Sequence, residues 1–186
     1  MTSILKADRV QSTSNGFVLP PAGGVIQTQY TQISATSQIS CTVNTDTEIS
    51  VLAVNITPIS TSSIIKIEAM VTGEWGDQNA SYNSVWFFYR GSTKLSAPAA
   101  GNRKVGILMG TGLTYDSSDS ASTPEFANYM YFDAPSTTSQ VTYKVGLRHS
   151  QGSGTVDWHL NKTADSTDNQ DRERGTSVIC VTEIAG

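Results

Sequence analysis

The chain has 186 residues, a net charge of −4 and a pI near 5.0, and only 15% of its residues are charged. This length suffices for one domain with a sizeable core. The few, scattered Lys and Arg residues argue against a nucleic-acid binder, which needs clustered cations to displace the counterions of phosphates. Serine and threonine make up about a quarter of the sequence, which indicates a neutral, hydroxyl-rich surface suited to a β-protein outside a cytosol or within a large assembly.

The first 24 residues differ from the rest of the chain. Ile4, Leu5 and Val10 form a short apolar segment, which is followed by a polar stretch and by Pro20-Pro-Ala-Gly-Gly24. Because so short a segment cannot hold itself together, we interpret residues 1–24 as an N-terminal docking arm that ends in a hinge. A frayed terminus is the alternative. The chain has neither a hydrophobic signal core nor a long apolar run, so we expect neither export by a signal peptide nor membrane insertion.

From Val25 onward, apolar residues recur at every second position, which is typical of half-buried strands. Pro-, Gly- and Ser-rich turns separate these runs, and no helical periodicity persists over three turns. The pattern predicts an all-β domain over residues 25–186, an antiparallel two-sheet sandwich with jelly-roll topology as the leading arrangement. The predicted strands are 25–33, 38–43, 48–57, 63–75, 82–90, 103–109, 126–133, 141–149, 155–160 and 176–184.

One predicted strand, residues 82–90, carries large apolar side chains on both faces. Trp86 and Phe88 point to one side, and Val85, Phe87 and Tyr89 to the other. Since exposed rows of aromatic residues favour aggregation, the second face needs a cover. We expect Val85, Phe87 and Tyr89 to form an oligomer interface, with a loop of the same chain, such as residues 110–125, as the alternative cover.

The sequence lacks the motifs of familiar catalytic and cofactor sites. The chain has only two histidines, His149 and His159, both inside predicted strands, and it has no phosphate-binding loop, dinucleotide fingerprint, nucleophile elbow or zinc-protease motif. The acidic residues of the 116–119 and 165–171 loops do not follow calcium-loop spacing. We therefore expect no enzyme activity, cofactor or metal, with a small hydrolase as a remaining alternative.

A carbohydrate contact is the binding function that the sequence supports best. Trp75 ends a predicted strand and is followed by Asp77 and Asn79. An indole can stack on a sugar face while neighbouring carboxylates and amides bind its hydroxyls. The alternative is that Trp75 packs over the edge of the sheet.

Cys41 and Cys180 are too few for a disulfide framework. Each lies in phase with apolar residues of its predicted strand, so we expect both to be small buried core residues.

Five segments in the second and later parts of the chain carry a resemblance to known proteins. They are Ile56-Thr-Pro-Ile-Ser-Thr-Ser-Ser-Ile-Ile-Lys-Ile67, Tyr89-Arg-Gly-Ser-Thr-Lys-Leu95, Phe132-Asp-Ala-Pro-Ser-Thr-Thr-Ser139, Thr142-Tyr-Lys-Val145 and Arg174-Gly-Thr-Ser-Val-Ile-Cys-Val-Thr-Glu-Ile184. Taken in this order, they resemble a family of small virion structural proteins from tailed phages, especially marine and cyanobacterial phages. The resemblance extends over residues 50–184, and the start of the chain, Ser3-Ile-Leu-Lys-Ala-Asp-Arg-Val10, is similar to the adaptor of phage fibre and appendage proteins.

This resemblance implies a non-enzymatic virion protein whose jelly-roll-like head domain sits on a short arm. It implies a homotrimer on the tail, as a short fibre or fibre-like appendage that binds other virion proteins and can contact a host surface glycan. A capsid decoration protein on the head is the first alternative, and a free carbohydrate-binding module is the alternative of another class.

Overall fold

The computed structural model describes residues 20–113, 122–151 and 153–186. Nearly all regular structure in this part of the chain is β-strand, as predicted, and one five-residue helix is present. The elements are β1 (Val25–Ile33), β2 (Ser37–Thr42), β3 (Thr47–Ile56), β4 (Ile64–Trp75), α1 (Gln78–Tyr82), β5 (Ser84–Arg90), β6 (Thr93–Leu95), β7 (Leu108–Met109), β8 (Gly112–Leu113), β9 (Glu125–Asp133), β10 (Val141–His149), β11 (Thr155–Leu160) and β12 (Ser177–Ile184).

Most predicted strands are found with their bounds shifted by no more than two residues. The predicted strand 103–109 is wrong except for its last two residues, which form β7. The sequence analysis also missed α1 and the short strands β6 and β8. These elements have two to five residues, too few for an apolar repeat to appear.

The strands form two antiparallel sheets. The seven-stranded sheet has β4 at its centre, with β9 and then β8 on one side and β12 followed by β11 on the other. β1 pairs with β12 and β2 with β11, so these two strands follow one another along a single edge. The five-stranded sheet is built from β3, β10 and β5, with β6 and β7 both paired to β5.

The pairing is nested: β1 pairs with β12, β3 with β10, β4 with β9, and β5 with β6. A chain that folds back on itself in this way, with its two halves distributed over two packed sheets, has the jelly-roll arrangement. The predicted fold class, an all-β antiparallel two-sheet sandwich, is confirmed.

The core lies between the two sheets because each main strand alternates buried and outward residues. β12 shows the pattern most regularly, with Ile179 and Val181 fully buried and their neighbours half-buried. All three tryptophans meet in this core. Trp158 packs edge-on against Trp75, with ring centroids 5.5 Å apart, and against Trp86 of the opposite sheet at 5.1 Å. Aromatic pairs in this geometry add to the free energy of burial, so this cluster joins the two sheets.

Buried polar side chains hold the edge of the seven-stranded sheet. Asn161, fully buried and with a φ of 60°, follows β11. Its Nδ2 donates to the carbonyls of Ile33 and Ala35, at the break between β1 and β2. Its Oδ1 accepts from the hydroxyls of Thr72 and Ser177. The side chain of Asn161 thus fixes the break in the edge of the sheet, where β1, paired with β12, ends and β2, paired with β11, begins.

The last residues of the predicted hinge are fixed to the sandwich. The backbone N–H of Gly23 donates to the carbonyl of Ala185 at 2.7 Å, and that of Ala185 donates to the carbonyl of Gly24 at 2.9 Å. The arm residues Ile4, Leu5 and Val10 lie outside the described residues. Within the described ranges, no helix has the length and apolar character needed to cross a membrane.

Candidate functional site

Trp75 does not present a stacking surface. Its side chain is fully buried, its Nε1 donates to Thr111 Oγ1 at 3.1 Å, and its ring packs against Trp158 and His149. The predicted glycan contact at Trp75 is therefore wrong, because an indole that is closed on both faces by the core cannot bind a sugar. The position at the end of β4, where the sheet is still covered by α1 and its flanking turns, explains the burial.

Asp77 and Asn79 serve the local backbone instead. Asp77 is the N-cap of α1, and its Oδ1 accepts from the backbone N–H of Asn79 at 2.9 Å and from the Asn79 side chain at 3.0 Å. This is the usual role of an aspartate before a short helix. The cap was the signal in the sequence that could have revealed α1.

Val85 and Phe87 are closed within the single chain. Both side chains have almost no exposed surface, at 1% and 0%, and Tyr89 is half-buried. The prediction that they form an oligomer interface is therefore wrong for Val85 and Phe87, since neither has apolar surface to offer a partner.

The cover comes from the segment that follows β5. Gly106 lies against Val85, so closely that a Cβ on it would be 2.7 Å from the Val85 Cβ. Lys94 extends over Phe87 with its Nζ 3.9 Å from the ring centroid, and the same Nζ binds both carboxylate oxygens of Asp46 at 3.0 Å. Residues 94–109 thus supply an intrachain cover, which was the alternative to an oligomer interface. The loop named as an example of that alternative, residues 110–125, is described by the structure only at its ends.

Among the described residues, a different surface is exposed and largely apolar. On the outer side of the seven-stranded sheet, five large side chains are between 42% and 69% exposed. They come from β1, β4 and β9, and the half-buried Val178 and Cys180 of β12 lie among them. We call this surface the apolar face; its exposed members are Tyr30, Met70, Phe126, Met130 and Phe132.

Strand register places these residues side by side. Met130 is opposite Glu68, Glu68 is opposite Cys180, and Cys180 is opposite Tyr30, which makes one row across four strands. The side chains of directly paired residues point to the same side of a sheet. The apolar face therefore extends over β9, β4, β12 and β1 on one side of the sheet, with the charged Glu68 within its middle row.

The apolar face carries little net charge of its own. Lys66 and Glu68, which lie at its centre on β4, form an ion pair at 2.8 Å. Its exposed members contribute about 500 Å² of surface, if a fully exposed large side chain has about 200 Å². That lies at the upper end of the largest patches on monomeric proteins, which measure roughly 300 to 600 Å². This area matches the apolar centre of a standard interface, which takes about 800 Å² from each partner.

The two cysteines differ in position. Cys41 is fully buried, as predicted, and burial raises the pKa of its thiol to about 12. Cys180 is only half-buried because it lies on the outer side of β12, in the apolar face. The prediction that Cys180 is a core residue is wrong: its phase with Val178 was identified correctly, but that phase is the outer one. Both thiols are free.

Two neighbouring carboxylates are buried at one end of the sandwich. Glu74 accepts from the backbone N–H groups of Thr123 and Ala164, at 3.0 and 2.6 Å. Glu125 accepts from the N–H of Trp75 at 3.1 Å through Oε1, whereas its Oε2 is buried with no hydrogen-bond partner. Burial, and to a lesser extent the Glu74 charge, raises the pKa of Glu125 to about 7. Such a pair is the feature a hydrolase would need, but the contacts of these two carboxylates connect loops to β4.

Both histidines lie inside strands, as predicted. His149 is fully buried, and its Nε2 lies 2.7 Å from the carbonyl oxygen of Cys41. Burial lowers the pKa of His159. Among the described residues, no group of three or more His, Cys, Asp or Glu side chains is arranged to hold a metal ion.

A scan against protein-family models finds no match to the chain, and no curated protein matches it.

Proposed function

We propose that the chain is a non-enzymatic structural protein of a phage virion that assembles as a homotrimer through the apolar face. The observation that carries this proposal is the largely apolar surface that the described residues leave exposed across β9, β4, β12 and β1. A monomer with such a surface in water would be prone to aggregate, whereas a structural subunit buries it against its neighbours. The assignment to a phage virion rests on the resemblance to tailed-phage virion proteins.

A second copy of the chain is the partner that fits the apolar face best. The internal ion pair between Lys66 and Glu68 means that the face needs no oppositely charged partner. It can therefore pack against another copy without like-charge repulsion, which penalises mismatched interfaces. A closed ring of three copies leaves no such face open, unlike an open chain of subunits.

Within the virion, we assign the chain to a short tail fibre or fibre-like appendage. Residues 1–24 would dock to another virion protein, and the sandwich would trimerise and face outward. Decoration of the capsid surface is the alternative location. Antibodies against the sandwich, imaged on purified particles, should label the tail; label confined to the head would favour capsid decoration, and unlabelled particles would contradict a virion role.

The assembly is tested by placing charge on the apolar face. Met130→Glu combined with Phe132→Glu should convert a particle of about 60 kDa, three copies of the 19.9 kDa chain, into a folded monomer. Buried carboxylates without partners are strongly unfavourable in an interface. Light scattering coupled to size-exclusion chromatography gives the mass, and circular dichroism checks the fold.

The matched control adds the same charges elsewhere. Val51 and Ile59 are 49% and 44% exposed but lie outside the apolar face, so Val51→Glu with Ile59→Glu should leave the trimer intact. If the unmutated chain is a stable monomer at micromolar concentration, or if both double variants dissociate it equally, the proposed interface is wrong.

A further inference from the structure

A groove on the outer side of the five-stranded sheet gathers cationic side chains. It encloses about 420 Å³ and is lined by Arg103 and Lys104 from the loop before β7 and by Arg148 from β10. Of the described residues that line it, none is Asp or Glu. Three of the twelve Lys and Arg residues therefore meet in one place, in a chain whose net charge is −4. This concentration of positive charge indicates an anionic ligand.

The guanidinium of Arg148 lacks a full set of acceptors. Its closest carboxylate is Asp46, with Nη1 and Oδ1 3.6 Å apart, which is too long for a hydrogen bond. Asp46 is itself bound by Lys94 at 3.0 Å. The Nε of Arg148 is buried, and no described residue forms a hydrogen bond with it. A ligand carboxylate or sulfate in the groove would supply the acceptors that a guanidinium normally finds.

The other two cations lie at different depths. Lys104 is partly buried, and its Nζ donates to Ser150 Oγ at 2.5 Å, which fixes its position in the wall. Arg103 is exposed beside Asn102. A ligand would therefore meet Arg103 first and Lys104 and Arg148 further in.

Apolar surface lies beside these charges. Tyr82, at the end of α1, is 55% exposed, and Met109 is 85% exposed; both line the groove. An aromatic ring next to amides and hydroxyls is the combination that contacts the faces and hydroxyls of sugars. Because cations line the same groove, a sugar that binds there must also carry negative charge.

We propose that this groove binds an acidic saccharide, one whose carboxylates or sulfates pair with Arg103, Lys104 and Arg148 while a sugar ring lies against Tyr82. The sequence analysis predicted a glycan contact at Trp75. We propose instead that the sugar contacts Tyr82, at the end of the helix that follows Trp75. The proposal is independent of the apolar face, because the groove lies on the outer side of the other sheet.

The test measures binding of three six-residue oligosaccharides by isothermal titration calorimetry: a heparin hexasaccharide, a hexagalacturonate and neutral maltohexaose. We expect the chain to bind at least one of the two acidic sugars and not maltohexaose. Arg103→Gln with Arg148→Gln should weaken that binding at least tenfold. Since Arg148 contacts Asp46, the single variant Arg103→Gln, at an exposed position, is measured as well and should weaken binding severalfold.

The control removes the same charge at a distant site. Lys162→Gln with Arg174→Gln, beyond β11 and before β12, should bind the acidic sugar as the unmutated chain does. Equal loss in both double variants would show non-specific attraction and overturn the proposal. Absence of binding to either acidic sugar would overturn it too, as would equal affinity for an inorganic polyphosphate of similar charge, which would mean that the sugar is not recognised.

Discussion

The two sheets differ in how the outward apolar residues are covered. Both sheets carry large apolar residues on the side away from the core, but these residues are buried on one sheet and exposed on the other. On the five-stranded sheet, the segment 94–109 folds over Val85 and Phe87, and Lys94 seals the Phe87 ring. On the seven-stranded sheet, the described residues leave Met130, Phe132 and their neighbours bare. An outward apolar residue in a strand therefore does not by itself indicate a subunit interface, because a segment of the same chain can cover it.

The two sides also differ in how charge is used. Around Phe87 and Tyr89, the cations Lys94 and Lys144 lie over the rings and pair with Asp46 and Glu48. These contacts hold the cover in place, and beside it the groove is lined by three further cations, Arg103, Lys104 and Arg148. On the apolar face, Lys66 and Glu68 form the central ion pair, and each lies opposite an exposed apolar residue of β9, Phe132 and Met130. One side is thus suited to binding a charged ligand and the other to burial against a protein.

The largest expected effect on stability distinguishes the buried ring of Phe87 from the exposed ring of Phe132. Phe87→Ala should lower the free energy of unfolding by about 3 to 5 kcal/mol, because it removes a fully buried ring packed against Gly146 and leaves a cavity. The oligomeric state should not change. Denaturant titration at fixed protein concentration gives the first quantity and light scattering the second.

The matched variant is Phe132→Ala on the apolar face. It should weaken assembly. In a Met130→Glu chain, diluted until light scattering shows a monomer, it should change the free energy of unfolding by less than about 1 kcal/mol, since surface substitutions have small effects. If Phe87→Ala dissociated the oligomer and Phe132→Ala did not, the assignment of the two faces would be reversed.

The second prediction concerns Glu125, which is buried on the inner side of β9. Outer residues of the same strand belong to the apolar face. Because burial raises the pKa of Glu125 from 4.5 to about 7, the folded state favours the protonated carboxyl. The resulting stability is fully present below about pH 4.5 and is lost as the pH rises through 7. Glu125→Gln keeps the acceptor for the Trp75 N–H and removes this loss, so its advantage over the unmutated chain should grow by up to about 3 kcal/mol between pH 4.5 and 8.

Urea titrations at four pH values measure that difference directly. Glu173→Gln, which removes one charge at an exposed carboxylate, is the control for the change in net charge. A constant offset between Glu125→Gln and the unmutated chain would mean that folding does not raise the pKa of Glu125.

The fold could be predicted from the sequence because alternation at period two runs through nearly every long strand. Val141, Tyr143, Val145 and Leu147 illustrate it: all four are buried on one side of β10. The positions of the surfaces could not be predicted in the same way. Alternation tells which residues share a side of a strand, but it does not tell which side faces the opposite sheet when both are apolar.

Trp75, Phe87 and Cys180 show this limit. The cover over Phe87 depends on Lys94 and on a loop with no apolar repeat of its own, and the burial of Trp75 depends on contacts with distant strands. Cys180 was assigned to the core because its phase contains Val178 and Ile184, yet the alternate phase of β12, with Ile179 and Val181, is the buried one. Only the pairing of β12 with β4 and β1 decides between the two.

The smallest effect on stability, and the most direct report on the apolar face, comes from the cysteines. Cys41→Ala should lower the free energy of unfolding by roughly 1 to 2 kcal/mol, as small core truncations do. Cys180→Ala should change it by less than about 0.5 kcal/mol in the monomeric background with Met130→Glu and Phe132→Glu.

Since Cys180 lies opposite Tyr30 in the apolar face, a thiol reagent should modify it rapidly in this monomer and slowly in the assembled chain. Burial raises the pKa of both thiols and keeps Cys41 closed to the reagent in either state, so mass spectrometry of the labelled peptides should find modification at Cys180 alone. Equal labelling of Cys180 in assembled and monomeric protein would place the subunit contact elsewhere, while rapid labelling of Cys41 would mean that the core opens under these conditions.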